Sequence, residues 1–225
     1  FCKIKLIMSL KTSSIIRKVS MALSGLFLVV FLTQHFTINL TSVFSENIFN
    51  KISHFMGNNF VVQFILQPIL IFGVVFHFIM GFILEYINRK SRDTSYVSFK
   101  GSSNSNWMSR NMIYSGIVIL SFLGLHFYDF WIPEINYKYV EVLPLDQDRY
   151  YQELVHKFES PIRTTIYSVS FVFLALHLYH GFSSSFQSVG FNNKYSSALK
   201  LFANGFSIII PLGFIFIAIF HHLKA

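Results

Sequence analysis

The segment VVQFILQPILIFGVVFHFIMGFILEYINRK, residues 61–90, decides the fold. Its first charged residue is Glu85. The row before it, roughly two dozen uncharged and mostly apolar residues, exceeds the ~20 that a helix needs to cross the hydrocarbon of a bilayer. Polar and apolar residues do not alternate along it, as they would in a barrel strand. His77 stands in the middle of the row, and Arg89 and Lys90 close it.

Four further stretches have the same character. The expected spans run roughly over 19–40, 61–87, 111–132, 163–184 and 202–222. They are bounded by Asn39 through Ser42, Asn88 through Arg92, Pro133, and the loop Gly190 through Lys194. Pro68 and Pro211 fall inside spans, where each removes a backbone hydrogen bond and should bend its helix. Composition agrees: of 225 residues 53% are hydrophobic and 12% charged, with mean hydropathy +0.51. A soluble domain carries about 25% charged residues. The expected fold is all-α, an integral membrane five-helix bundle forming one domain over residues 1–225.

The charge distribution orients the bundle. Of the 18 Lys and Arg, Lys3, Lys5, Lys11, Arg17 and Lys18 precede the first span, Arg89, Lys90, Arg92, Lys100 and Arg110 lie between the second and third, and Lys194 and Lys200 lie between the fourth and fifth. The third-to-fourth connection holds most of the acids. By the positive-inside rule the amino terminus is cytoplasmic and the carboxyl terminus outside. With most of the chain assigned to lipid, the net charge of +8 does not argue for nucleic acid. The first apolar run is too long for a typical signal-peptide core and should remain as a helix, with Met8 a candidate start. The one cysteine, Cys2, excludes a disulfide framework and a cysteine-rich metal site within the chain.

Any metal would therefore rest on His or carboxylates. Five of the nine histidines lie within spans: His35, His77, His126, His177 and His180. Ionisable groups inside a membrane usually face the bundle interior for a functional reason. At about 1.5 Å rise per residue, His35 and His126 share a level about 22 Å from the cytoplasmic end, and His77 and His177 share one at about 10–15 Å. Two histidines at equal depth on different helices, twice over, would suit two six-coordinate haems stacked across the membrane. Gly73, His77 and Gly81 make one stripe that a flat macrocycle could approach; close helix packing explains such small residues equally well. Ser24 returns to nearly the same face as His35, and Gly124 stands beside His126. His180, one turn from His177, is the alternative ligand. His54 and His156 are expected in outer loops, and His221 and His222 at the interface, reaching water.

Certain segments resemble a known family. Ser13 through Lys18, then Met21-Ala22-Leu23-Ser24-Gly25-Leu26-Phe27, His35 and Asn39-Leu40, resemble the opening of the cytochrome b membrane subunit of succinate dehydrogenase and fumarate reductase, in its bacterial single-polypeptide, five-helix, di-haem form. The stretch His177 through Gly190 is similar to that family's fourth helix and its exit, and His77 through Arg92 to the end of its second. The resemblance implies an anchor for a flavoprotein subunit and an iron–sulfur subunit, in the bacterial inner (cytoplasmic) membrane. Two haem b groups would pass electrons between the iron–sulfur subunit and a quinone, menaquinone being the expected form. It assigns His77 and His177 to the inner haem and His35 and His126 to the outer one. The ligand four positions before a glycine on the fourth helix is His177, relative to Gly181. The quinone pocket stays open, since Glu46 is too close in sequence to His35 to match the family's acidic residue.

Haem propionates need cationic or hydroxyl partners near the interfaces, for which Arg17, Lys18, Arg110 and Arg163 are candidates. No nucleotide-binding fingerprint or hydrolytic triad stands out, so the expected role is electron transfer within an oxidoreductase complex. Two alternatives remain at this stage. One is the cytochrome b of a formate dehydrogenase, hydrogenase or nitrate reductase. The other is a transporter that uses its buried histidines, weakened because Glu85 and Asp129 lie near span ends.

Overall fold

The computed structural model describes residues 14–90, 112–191, 193 and 195–224. Among them the chain is all-α, with seven helices: α1 (Ser14–Phe44), α2 (Glu46–Asn58), α3 (Val62–Lys90), α4 (Met112–Val140), α5 (Arg149–Phe158), α6 (Pro161–Ser188) and α7 (Ser196–Lys224). Five of these, α1, α3, α4, α6 and α7, are long and apolar enough to span a membrane. Cys2, Met8, Arg92, Lys100, Arg110 and Lys194 lie outside the described residues.

The helix ends follow local chemistry. Ser160 is extended and caps α6 by accepting from the Arg163 amide, with Pro161 in the first turn, where its missing N–H costs nothing. The other end of α6 closes in a left-handed cap at Gly190, φ +93°, with the Phe191 amide donating to Phe186 and the Gly190 amide to Gln187. This turn opens the expected loop, of which Asn192 and Lys194 lie outside the described residues.

Three expectations are corrected. α1 does not stop at Asn39–Ser42 but runs to Phe44, because the side chains of Asn39, Thr41 and Ser42 donate back to carbonyls of their own helix. α4 passes Pro133 and reaches Val140 through two π-helical turns, Phe127–Trp131 and Asn136–Val140. The wider turn before Pro133 accommodates its missing donor, and Val62–Leu66 does the same before Pro68 in α3. His54 and His156 sit in helices α2 and α5, not in loops.

α6 is the central helix, packed against α7, α1 and α4, and α1 also packs on α3 and α7. The α6–α7 seam is the densest, with Ala203, Ser207 and Ala218 fully enclosed. A Cβ at Gly213 would overlap the Phe36 ring, and one at Gly73 would lie 2.6 Å from that of Phe27, so those glycines admit a phenyl face from α1. Small residues let neighbouring elements approach closely where lipid offers no hydrophobic drive.

One end of the bundle is capped by α2, α5 and the end of α4. Asn50, 1% exposed, donates to Asp148 O and accepts from the Tyr151 amide at 2.7 Å. Glu134 pairs with Arg149 and Lys138, and Lys138 donates to the Gly57 carbonyl. The Arg149 guanidinium lies 4.0 Å over the Tyr137 ring and 4.4 Å over that of Tyr150. Burial disfavours its charge, but bonds to Glu134 and Glu153 outweigh that and hold it more firmly protonated than a free guanidinium.

Candidate functional site

Two histidine pairs lie between α1, α3, α4 and α6. His77 of α3 and His177 of α6 have ring centroids 6.3 Å apart at 68°. His35 of α1 and His126 of α4, nearer the capped end, are 5.7 Å apart at 85°. The pairing expected from depth is therefore the pairing that packing brings together. His180 is partly buried and lies one turn from His177.

The first pair is built from a repeated unit. Met21-Ala22-Leu23-Ser24-Gly25 and Met112-Ile113-Tyr114-Ser115-Gly116 each precede a histidine, His35 and His126, at the same spacing. His77 and His177 each head a His-x-x-x-Gly-Phe sequence. In three dimensions Ser24 Oγ lies 3.0 Å from His77 Nδ1, and Ser115 Oγ lies 3.2 Å from His177 Nδ1. The two hydroxyls donate to Met21 O and Met112 O, each at 2.8 Å. With its single hydrogen given to that carbonyl, each serine oxygen can only accept at the imidazole, an arrangement that suits the tautomer protonated on Nδ1. Nε2 of each, the lone-pair nitrogen, is left without a protein partner among the described residues. A Cβ at Gly25 would stand 3.4 Å from His77 Cε1, and one at Gly116 would stand 3.8 Å from His177 Cε1. Met21 and Met112 complete the symmetry against Gly81 and Gly181.

Ser24, which lies on nearly the same face of α1 as His35, thus meets His77 of the neighbouring helix, a contact the sequence reading did not assign. The signal was present in the repeat itself. Gly124, beside His126, has open space within 4 Å of where a Cβ would stand.

The second pair is differently set. Phe31 and Phe214 flank His35, while Phe122, Phe130 and Tyr167 surround His126. Asn39 Nδ2 approaches His35 Nε2 at 3.4 Å, and His126 Nδ1 is buried with no hydrogen-bond partner. One turn further on, the π-helical turn aims Asp129 inward. It is 1% exposed, accepts from Arg163 at 2.6 Å and from the Tyr167 hydroxyl at 2.8 Å. Arg163, a candidate propionate partner by sequence, thus already holds a buried acid.

His221 is the clearest departure from expectation. Rather than reaching water it is 0% exposed, with Nε2 2.8 Å from Ser42 Oγ, so it joins α7 to α1. His222 Nδ1 lies 2.8 Å from Phe158 O.

Each pair brings together two imidazoles from different helices, a donor set that a haem would suit. Among the described residues no group of three or more His, Cys, Asp or Glu could hold a metal ion. Two axial nitrogens are what a protein supplies when a porphyrin provides the rest. The Nε2 atoms of the first pair, which accept no hydrogen bond among the described residues, are the positions such a group would use.

The chain is a multi-pass membrane protein with five candidate spans. Comparison with protein-family models, characterised proteins and solved structures finds no match.

Proposed function

We propose that this chain is the di-haem cytochrome b membrane-anchor subunit of a succinate:quinone oxidoreductase, of the succinate dehydrogenase and fumarate reductase type. In this reading the amino terminus and the uncapped end of the bundle face the cytoplasm of a bacterial cell, where the flavoprotein and iron–sulfur subunits dock. The capped end faces outward. The observation that carries the reading is the His77–His177 pair, 6.3 Å apart, each ring oriented by a serine and offering Nε2.

Each bound haem b would supply a one-electron redox centre between the iron–sulfur subunit and the quinone. The chain's own part is to hold and insulate those centres. His77 and His177 would hold the haem near the cytoplasm, and His35 and His126 the one near the outer face. Ser24 is eleven residues before His35 on α1, so the two levels stand about 16 Å apart along that helix, wider than the sequence estimate of roughly 10 Å. The phenyl rings of Phe31, Phe122, Phe130 and Phe214 keep water from the outer pair, and Phe27 fills the notch at Gly73.

The test is optical. The purified protein, reduced with dithionite, is expected to give a b-type absorption spectrum with two haems per chain; a colourless protein would end the proposal. Mass spectrometry of co-purifying subunits then separates the succinate-linked complex from a formate dehydrogenase, hydrogenase or nitrate reductase, by the flavoprotein it must contain.

A further inference from the structure

We infer that Ser24 and Ser115 are positioning residues that fix the tautomer of His77 and His177 and lower the reduction potential of the haem they hold. The inference rests on the haem reading above. Its basis is a contrast within the molecule. Thr33, Thr37, Ser121 and Ser170 donate only to carbonyls of their own helices, the ordinary behaviour of hydroxyl residues in apolar helices. Among the described residues Ser24, Ser115 and Ser42 alone also meet a histidine ring of another helix. Ser24 and Ser115, 9% and 6% exposed, do so at Nδ1 and leave Nε2 free; Ser42 does so at Nε2, the nitrogen a ligand would need.

The hydroxyl therefore has a direction. Ser24 Oγ gives its hydrogen to Met21 O and Ser115 Oγ to Met112 O, so each oxygen presents a lone pair to Nδ1–H. A hydrogen bond accepted from the far nitrogen of a ligating imidazole raises its basicity and fixes its plane. A more basic axial ligand favours the oxidised, more positive iron, which moves the potential downward. In the outer pair, His126 has no such support, since its Nδ1 is without a partner. α1 and α4 each thus carry an outer histidine and, eleven residues earlier, the hydroxyl that tunes the inner one.

Redox titration of the full chain in its native complex, resolving the two haem components, tests this. The inner component is the one lost in His177→Leu. Ser24→Ala and Ser115→Ala are each expected to shift that component to more positive potential, the double variant further, with the outer component unmoved. Ser24→Thr and Ser115→Thr, which keep the hydroxyl, should restore it, and Ser42→Ala should leave it in place. If an alanine variant sheds the haem, Ser24→Cys and Ser115→Cys take its place, with a smaller positive shift expected from the weaker thiol. Two retained haems with an unmoved inner potential overturn the inference alone, as does an equal shift in Ser42→Ala. A haem-free unaltered protein overturns the functional reading and this inference together.

Discussion

Asp129 offers a quantitative test of the packing around the outer pair. Its carboxylate is fully enclosed and receives Arg163 at 2.6 Å and Tyr167 at 2.8 Å, while the Arg163 side chain is 27% exposed. The partners are unequal in what their loss leaves behind. Arg163→Met strands a charge with no route to water, which costs about 3–5 kcal/mol. Asp129→Ala strands the Tyr167 hydroxyl, at about 1–3 kcal/mol, while the partly exposed guanidinium turns outward. Asp129→Asn keeps an oxygen for Tyr167 and should cost about 1 kcal/mol, since an exposed charge is screened. The order expected is therefore Arg163→Met, then Asp129→Ala, then Asp129→Asn, with the double variant Asp129→Asn/Arg163→Met less destabilised than Arg163→Met alone. Thermal or denaturant unfolding in detergent measures each, and the double-mutant cycle isolates the coupling. If Arg163→Met costs no more than Asp129→Asn, or if the two losses simply add, the pair does not hold the charge as described.

Other outcomes follow from the same geometry. His177→Leu should reduce the haem content from two per chain to one, whereas His180→Leu should leave both; pyridine haemochrome assays on the two variants decide which histidine is the donor. Gly213→Ala should destabilise by about 1–3 kcal/mol through overlap with Phe36. Gly205→Ala, with nothing within 4 Å of its Cβ, should be neutral or stabilising by up to about 1 kcal/mol. At the cap, burial first and then the Glu134 charge raise the Tyr150 hydroxyl above its ordinary value. Its folded pKa exceeds the unfolded one, so this contribution is fully present below about pH 10 and is lost as pH climbs through the folded value. Melting curves between about pH 9 and 11 should therefore fall more steeply for the native protein than for Tyr150→Phe.

The number of long helices was legible in the sequence because a bilayer imposes one length on every span, and 20 apolar residues without alternation admit little else. The two histidine levels were legible for a related reason: helical rise converts position in a span into depth, and depth limits which side chains can meet. Span ends were less so. α1 outruns Ser42 and α4 outruns Pro133 because side-chain bonds and π-helical turns repair what the local sequence signals would break. Depth leaves open which neighbour a side chain faces, and that was decided by tertiary packing. Ser24 shares a face with His35 by spacing yet bonds His77, because α3 lies against α1 at that height. His221 looked like an interfacial residue, but α1 brings Ser42 to it and closes the water off. Asp129 looked like a span-end acid, and the widened turn of α4 with Arg163 of α6 makes it a buried one. Rise and hydrophobic length are properties of one helix and can be read along the chain; lateral contacts depend on how separate helices rotate and cross, which only the assembled bundle determines.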